Sequence, residues 1–108
     1  LSIGIQPMVR SDIACSGVMF TLDTESGFRE AVVINGAWGL GEAVVQGMAT
    51  PDEWIVFKPT LKKGFRPIVM RKLGVKEVKM VFADDGTGTQ VRDVVQSQRK
   101  RFCLAGFE

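Results

Sequence analysis

Apolar residues along the chain gather in short runs, each closed by glycine, proline or a small polar cluster. Ile3 to Val9 predicts a first strand, with Pro7 at an edge or bulge. Arg10-Ser11-Asp12 reads as a turn. Ser16-Gly17 leads into a compact apolar strand, Val18-Met19-Phe20-Thr21-Leu22, and Asp23-Thr24-Glu25-Ser26-Gly27 is a turn cluster headed by an Asx-turn residue, Asp23. Ala31-Val32-Val33-Ile34 is the next strand, and the polar, glycine-bearing connection before it predicts antiparallel pairing. Thr50-Pro51-Asp52-Glu53 reads as a loop, Trp54-Ile55-Val56-Phe57 as a strand, and Lys58 to Gly64 as a surface turn. Pro67–Leu73 and Val75–Phe82 predict a strand pair about Gly74. In the second of these Val75, Glu77, Lys79 and Val81 fall on one face and Val78, Met80 and Phe82 on the other, which approximates one wet face and one buried face. Ala83 to Thr89 reads as a flexible loop. Val91 to Phe102 is ambiguous, since Val91, Val94 and Val95 have helical spacing within a polar segment. The pattern is that of an α+β chain, mostly antiparallel β with one or two short helices.

One segment breaks the pattern. Gly36-Ala37-Trp38-Gly39-Leu40-Gly41-Glu42-Ala43-Val44-Val45-Gln46-Gly47 follows the Ala31–Ile34 strand directly. A strand, a glycine-rich turn and a helical turn opened by a carboxylate suit phosphate and metal handling. Glycines let backbone N–H groups approach a ligand, and Glu42 offers a hard oxygen to Mg²⁺. The plain alternative is a tight strand-to-helix connection with no ligand.

Composition narrows the chemistry. The 108 residues suffice for one small domain, and 45% apolar content excludes disorder by composition. Fourteen basic against 12 acidic residues give a net charge of +2, too balanced to argue for nucleic acid or a membrane surface. No apolar run approaches the roughly 20 residues of a membrane span. Histidine and tyrosine are absent, which removes histidine bases, histidine ligands and phosphohistidine from these residues. Cys15 and Cys103 lack metal-ligand spacing; a reduced, cytoplasmic protein is the simplest reading, with a disulfide left open. The chain opens on Leu1 and its tail ends without a cap, so it reads as a piece of a longer polypeptide.

Few side chains remain as candidates. Arg10 can fork onto phosphate oxygens or stand as a solvated strand-end charge. Gln6, inside an apolar run, needs a partner, whether a ligand or a neighbouring loop. Asn35, read at the end of the Ala31–Ile34 strand, can bind Mg²⁺ through its side-chain carbonyl or brace the turn. The basic residues Lys58, Lys62, Lys63, Arg66, Arg71 and Lys72 read as a solvated surface, and Cys15 has no histidine to activate it.

Taken jointly, four runs are more specific than any single residue. They are Ile5-Gln6-Pro7-Met8-Val9-Arg10-Ser11-Asp12, Ser16 through Gly27, Trp38-Gly39-Leu40-Gly41-Glu42 through Gly47, and Pro51-Asp52-Glu53-Trp54. In this order the chain resembles the phosphoenolpyruvate synthase (pyruvate, water dikinase) group of phosphoenolpyruvate-utilising enzymes, in the later part of their N-terminal ATP-binding domain. The resemblance covers about residues 3 to 82 and implies an ATP-grasp-like fold, with residues 1–108 a partial ATP-binding domain and 54–82 a β-rich insertion. It implies ATP and Mg²⁺ as cofactors and pyruvate as the acceptor. It also implies a histidine on a swivelling domain that relays phosphate to a C-terminal barrel, both outside these residues. Gln6, Arg10, Gly39, Gly41 and Glu42 then line the nucleotide cleft, with Glu42 and Asn35 toward the metal and no catalytic residue in this segment. Pro7 departs from an expected basic residue, and Asn35-Gly36-Ala37 from expected small hydroxyl residues. Related readings are a rifampin-type antibiotic phosphotransferase, pyruvate, phosphate dikinase, or a β-rich binding module without catalysis. The oligomeric state stays open, a homodimer included. The isolated chain is expected to be inactive.

Overall fold

Four antiparallel strands carry the fold, and a two-stranded hairpin is set against one end of them. The computed structural model describes residues 1–104. In chain order these form β1 (Cys15–Phe20), β2 (Ala31–Trp38), α1 (Glu42–Val45), β3 (Asp52–Phe57), α2 (Lys58–Lys62), β4 (Ile68–Lys72), β5 (Val78–Phe82), β6 (Thr89–Asp93) and α3 (Gln96–Arg99). A single 3-10 turn, Ser11–Ile13, precedes β1. Strands β1 to β4 pair in sequence order in one sheet, and β5 pairs with β6 in a second. The mostly antiparallel α+β expectation holds, with three short helices among the described residues where one or two were expected.

Alternation explains which face is buried. In β3, Asp52, Trp54 and Val56 are buried while Glu53, Ile55 and Phe57 are half-buried. Trp54 lies opposite Ile34 in the ladder, and these two form a core with Val56 and Cys103. Helix α3 and the segment after it close this face. Phe102 packs on Trp54 at 5.4 Å between ring centroids, Trp38 Nε1 donates to the Gln98 carbonyl at 3.1 Å, and Cys103 N donates to Asp52 Oδ2 at 2.8 Å. Residues 105–108, the end of the tail, lie outside the described residues.

Several expectations are corrected. The segment Ile3 to Val9 is not a strand: it carries apolar alternation but no partner, and Ile3, Ile5 and Val9 are 86%, 97% and 81% exposed. The strand expected over Ala31–Ile34 runs on through Asn35, Gly36 and Ala37 to Trp38, because these residues pair with β1 and, at Asn35 and Gly36, also with β3; Gly36 passes beneath Cys103, whose sulfur would stand 2.9 Å from any Cβ there. Asp52 and Glu53 belong to β3 rather than to a loop. Lys58 to Lys62 is a short helix with Pro59 in its first turn, not a surface turn. Lys58 Nζ is also not simply solvated, since it bonds the carbonyls of Thr21 and Arg29.

The predicted pair about Gly74 does not form. β4 pairs with β3 and β5 with β6, because the connection between β4 and β5 is tied down. Gly74 N donates to Asp52 Oδ1 at 2.8 Å and Lys76 N to the Thr50 carbonyl at 3.0 Å. Nor does β5 have one wet face, for Met80 and Val81 are both buried. The ambiguous Val91 region resolves into β6 and α3. The Asx-turn at Asp23 is present, with Glu25 N donating to Asp23 Oδ1 at 3.0 Å.

Both cysteines are free thiols. Burial pushes the Cys15 thiol up, and burial with the nearby Asp52 charge pushes Cys103 up further. Reaction needs the thiolate, so native Cys103 should alkylate more than about tenfold more slowly than the unfolded chain. Mass-spectrometric timing with iodoacetamide checks this; equal rates would contradict the buried placement.

Candidate functional site

The Gly-Leu-Gly-Glu turn sits where the sheet meets the hairpin. Gly39 has φ +82°, and a Cβ there would stand 2.4 Å from the Met80 carbonyl oxygen. Glycine is required because two backbones touch. Gly39 N donates to the Ala14 carbonyl at 3.0 Å, Leu40 N to the Met80 carbonyl at 2.8 Å, and Ser16 Oγ donates to the Gly39 carbonyl at 2.7 Å. Two amides of the expected phosphate cradle are therefore spent on joining the turn to β1 and β5. Gly41 precedes α1 and has ordinary van der Waals room, since a Cβ there would stand 3.6 Å from Ser16 Oγ.

Glu42 opens α1. Its Oε1 accepts from Gln46 Nε2 at 2.9 Å and its Oε2 from the Thr89 hydroxyl at 3.3 Å. A carboxylate has about four acceptor positions, so these two bonds orient the group and leave capacity for a cation. Asn35 lies elsewhere. It sits within β2 between Val18 and Glu53, and lines a hollow of about 150 Å³ with Asp23, Thr24, Glu25 and Glu53. The structure does not bring Asn35 to Glu42, and among the described residues no three Asp, Glu or Cys side chains form a metal-holding group. Glu42 alone fits as one carboxylate ligand of a Mg²⁺ otherwise held by phosphates and water.

Gln6 is exposed on the unpaired N-terminal segment. Arg10 is better placed. Its Nε and Nη2 donate to Asp12 Oδ1 and Oδ2, both at 2.8 Å, a bidentate pair that holds the Asp12 carboxyl below the usual range. Arg10 and Asp12 line one side of a cleft of about 470 Å³, and the β5–β6 hairpin supplies Lys79, Asp84 and Arg92 on the other. Cross-strand partners share a face, so Lys79 and Arg92 stand together, while Met80 and Thr89, with Glu42 beyond, belong to the opposite face. Lys79, Thr89 and Arg92 are not legible as site residues in the sequence, because the polar run of β6 does not announce a strand.

With this geometry in hand, likeness to known proteins decides the family. The family model described as pyruvate phosphate dikinase, AMP/ATP-binding domain, matches residues 1–107. The chain belongs to this family. Among curated relatives of this AMP/ATP-binding domain, phosphoenolpyruvate synthase of Synechocystis is 53% identical over 105 residues, covering 96% of the chain and 13% of the relative. The enzymes of the same name from Aquifex aeolicus and Escherichia coli are each 52% identical, over 104 and 111 residues, covering 96% and 100% of the chain. The chain thus spans only 12% and 14% of those two relatives. Among the described residues no helix is long and apolar enough to cross a membrane.

Proposed function

We propose that this chain is part of the ATP-binding domain of a phosphoenolpyruvate synthase, which converts pyruvate, ATP and water to phosphoenolpyruvate, AMP and phosphate. The carrying observation is 53% identity over nearly the whole chain to a protein of that name, within an AMP/ATP-binding family. The phosphate-accepting histidine is supplied by another part of the polypeptide, since these residues contain none.

In this reading the segment binds and orients. Arg10, braced by Asp12, offers its unused guanidinium N–H groups to phosphate oxygens. Gly39 lets the turn sit tight on β5, which fixes α1 and so the Glu42 carboxylate. Mg²⁺, when bound there, neutralises phosphate charge. Such positioning is what phosphoryl transfer chiefly asks of a protein.

The test uses the intact polypeptide carrying these residues. Incubation with ATP, Mg²⁺ and pyruvate should yield phosphoenolpyruvate, AMP and orthophosphate, while the 108-residue chain alone should yield none. Absence of phosphoenolpyruvate from the intact protein would sink the reading. Glu42→Gln should weaken Mg-ATP binding about tenfold and lower turnover, because a neutral amide is a poorer Mg²⁺ ligand. Unchanged affinity and turnover would remove Glu42 from the site.

A further inference from the structure

The sheet face that carries the core also carries both thiols. Cys15 opens β1 and stands opposite Trp38 in the ladder with β2, and Gly36 follows Trp38 on the same face. Gly36 has no side chain, and the Cys103 sulfur takes the space above it, 2.9 Å from where a Cβ would stand. Cys15 packs against the cluster of Ile34, Trp54, Val56 and Cys103. A side-chain hydrogen bond joins Cys15 to Cys103, so two sulfurs from near opposite ends of the chain are neighbours. Among the described residues they form no metal-holding group with a carboxylate, so the contact is not that of a metal site.

Their surroundings are unequal. Cys15 is half-buried, whereas Cys103 is buried. Cys103 is also held in place: its N–H donates to Asp52 Oδ2 at 2.8 Å, and Phe102 before it packs on Trp54. A reagent in solution therefore reaches Cys15 first, and a sulfur attached there lies beside Cys103. Burial raises both thiols, which slows each of them toward external reagents. It does not remove the advantage of a fixed neighbour, whose attack is intramolecular.

We infer that Cys15 and Cys103 are a modification site, forming a reversible disulfide that locks the segment after α3 onto β1. The oxidant is a low-molecular-weight disulfide such as oxidised glutathione. The Cys15 thiolate attacks one of its sulfurs, the old S–S bond breaks, and one glutathione leaves as a thiol. The Cys103 thiolate then attacks Cys15 Sγ and expels the second glutathione. The two cysteines together give up two electrons and two protons, and oxidised glutathione takes up both as two thiols. The segment that the bond secures carries Phe102 on Trp54 and follows the Arg99 carbonyl that accepts from Lys76.

Incubating the intact, folded polypeptide with oxidised glutathione, then mapping its peptides by mass spectrometry without reduction, tests this. A cross-linked peptide joining Cys15 to Cys103 should form, and dithiothreitol should abolish it. Amide exchange at Phe102–Leu104 should slow about tenfold in the cross-linked form, because local opening of that segment is then restrained. In Cys103→Ala the glutathione adduct on Cys15 should accumulate at least about tenfold over the parent, since no second thiol resolves it. An adduct on Cys15 that persists in the parent without a cross-link overturns the proposal. So do an unmodified Cys15, a cross-link that forms only after denaturation, and unchanged exchange at Phe102–Leu104. Mapping of the parent needs no variant, so it decides the matter even if Cys103→Ala fails to fold.

Discussion

Replacing Lys76 with methionine should cost about 3–5 kcal/mol of stability, the scale for stranding one partner of a buried ion pair. Lys76 and Asp52 are both wholly buried. The Lys76 ammonium donates to Asp52 Oδ1 at 2.5 Å, to the Gly74 carbonyl at 2.9 Å and to the Arg99 carbonyl at 3.1 Å, which uses all three of its N–H groups. Asp52 in turn accepts from Gly74 N and Cys103 N. Removing the ammonium leaves a buried carboxylate with two amides and no counter-charge. It also frees the Arg99 carbonyl, so the segment that closes the core loses an anchor. A domain stable by roughly 5–15 kcal/mol can lose a third or more of its margin this way. The double variant Asp52→Ala with Lys76→Met should be milder than the sum of the singles, because neither charge is then stranded. Denaturant unfolding of the intact protein and its three variants measures the coupling. A Lys76→Met loss below about 1 kcal/mol would mean that water or another group compensates the carboxylate.

This pair also shows where sequence reading stops. Asp52 sits in Thr-Pro-Asp-Glu, a run with every mark of a loop, and Lys76 lies 24 residues on, in the alternating run Val75–Phe82. Nothing local marks either as buried; the pairing is created by β4 folding back onto β3. The strands with dense apolar runs are legible from their composition, although only β3 among them alternates cleanly between buried and half-buried positions. Strand β6 is not, since Thr89-Gln90-Val91-Arg92-Asp93 is nearly all polar and is specified by its partner β5. The Ile3–Val9 segment errs in the other direction. Its alternation is genuine, but a strand needs an edge to pair with, and alternation cannot say whether one is at hand. Of the site, Glu42 and the glycines are visible as a motif. Asn35 misleads because Asn-Gly normally signals a turn, whereas here pairing with β1 on one side and β3 on the other keeps the strand extended. That Lys79 and Arg92 face Arg10 follows only from the hairpin register.

Gly39→Ala is expected to be nearly as damaging, by about 2–5 kcal/mol from backbone strain and overpacking together. The first part is conformational, since φ is +82° and a side chain disfavours that region. The second is steric, with the new methyl 2.4 Å from the Met80 carbonyl oxygen and 2.9 Å from the Lys79 Cβ. The usual relief, a small backbone shift, is blocked on both sides. Gly39 is held by Ala14 and Ser16, and the Met80 carbonyl is held by Leu40 N. The Gly39–Met80 bridge is also where the four-stranded sheet meets the hairpin, so moving it separates Glu42 from Thr89 and shifts Lys79 and Arg92 relative to Arg10. Nucleotide affinity should therefore fall even in the fraction that remains folded. Gly47→Ala is the matched control: its φ is +70°, but nothing lies within 4 Å of the new methyl. It should show the conformational part alone, about 1–2 kcal/mol, with ATP affinity kept. If the two alanine variants prove equally stable and bind ATP equally well, the tight joint between turn and hairpin is not what positions the site.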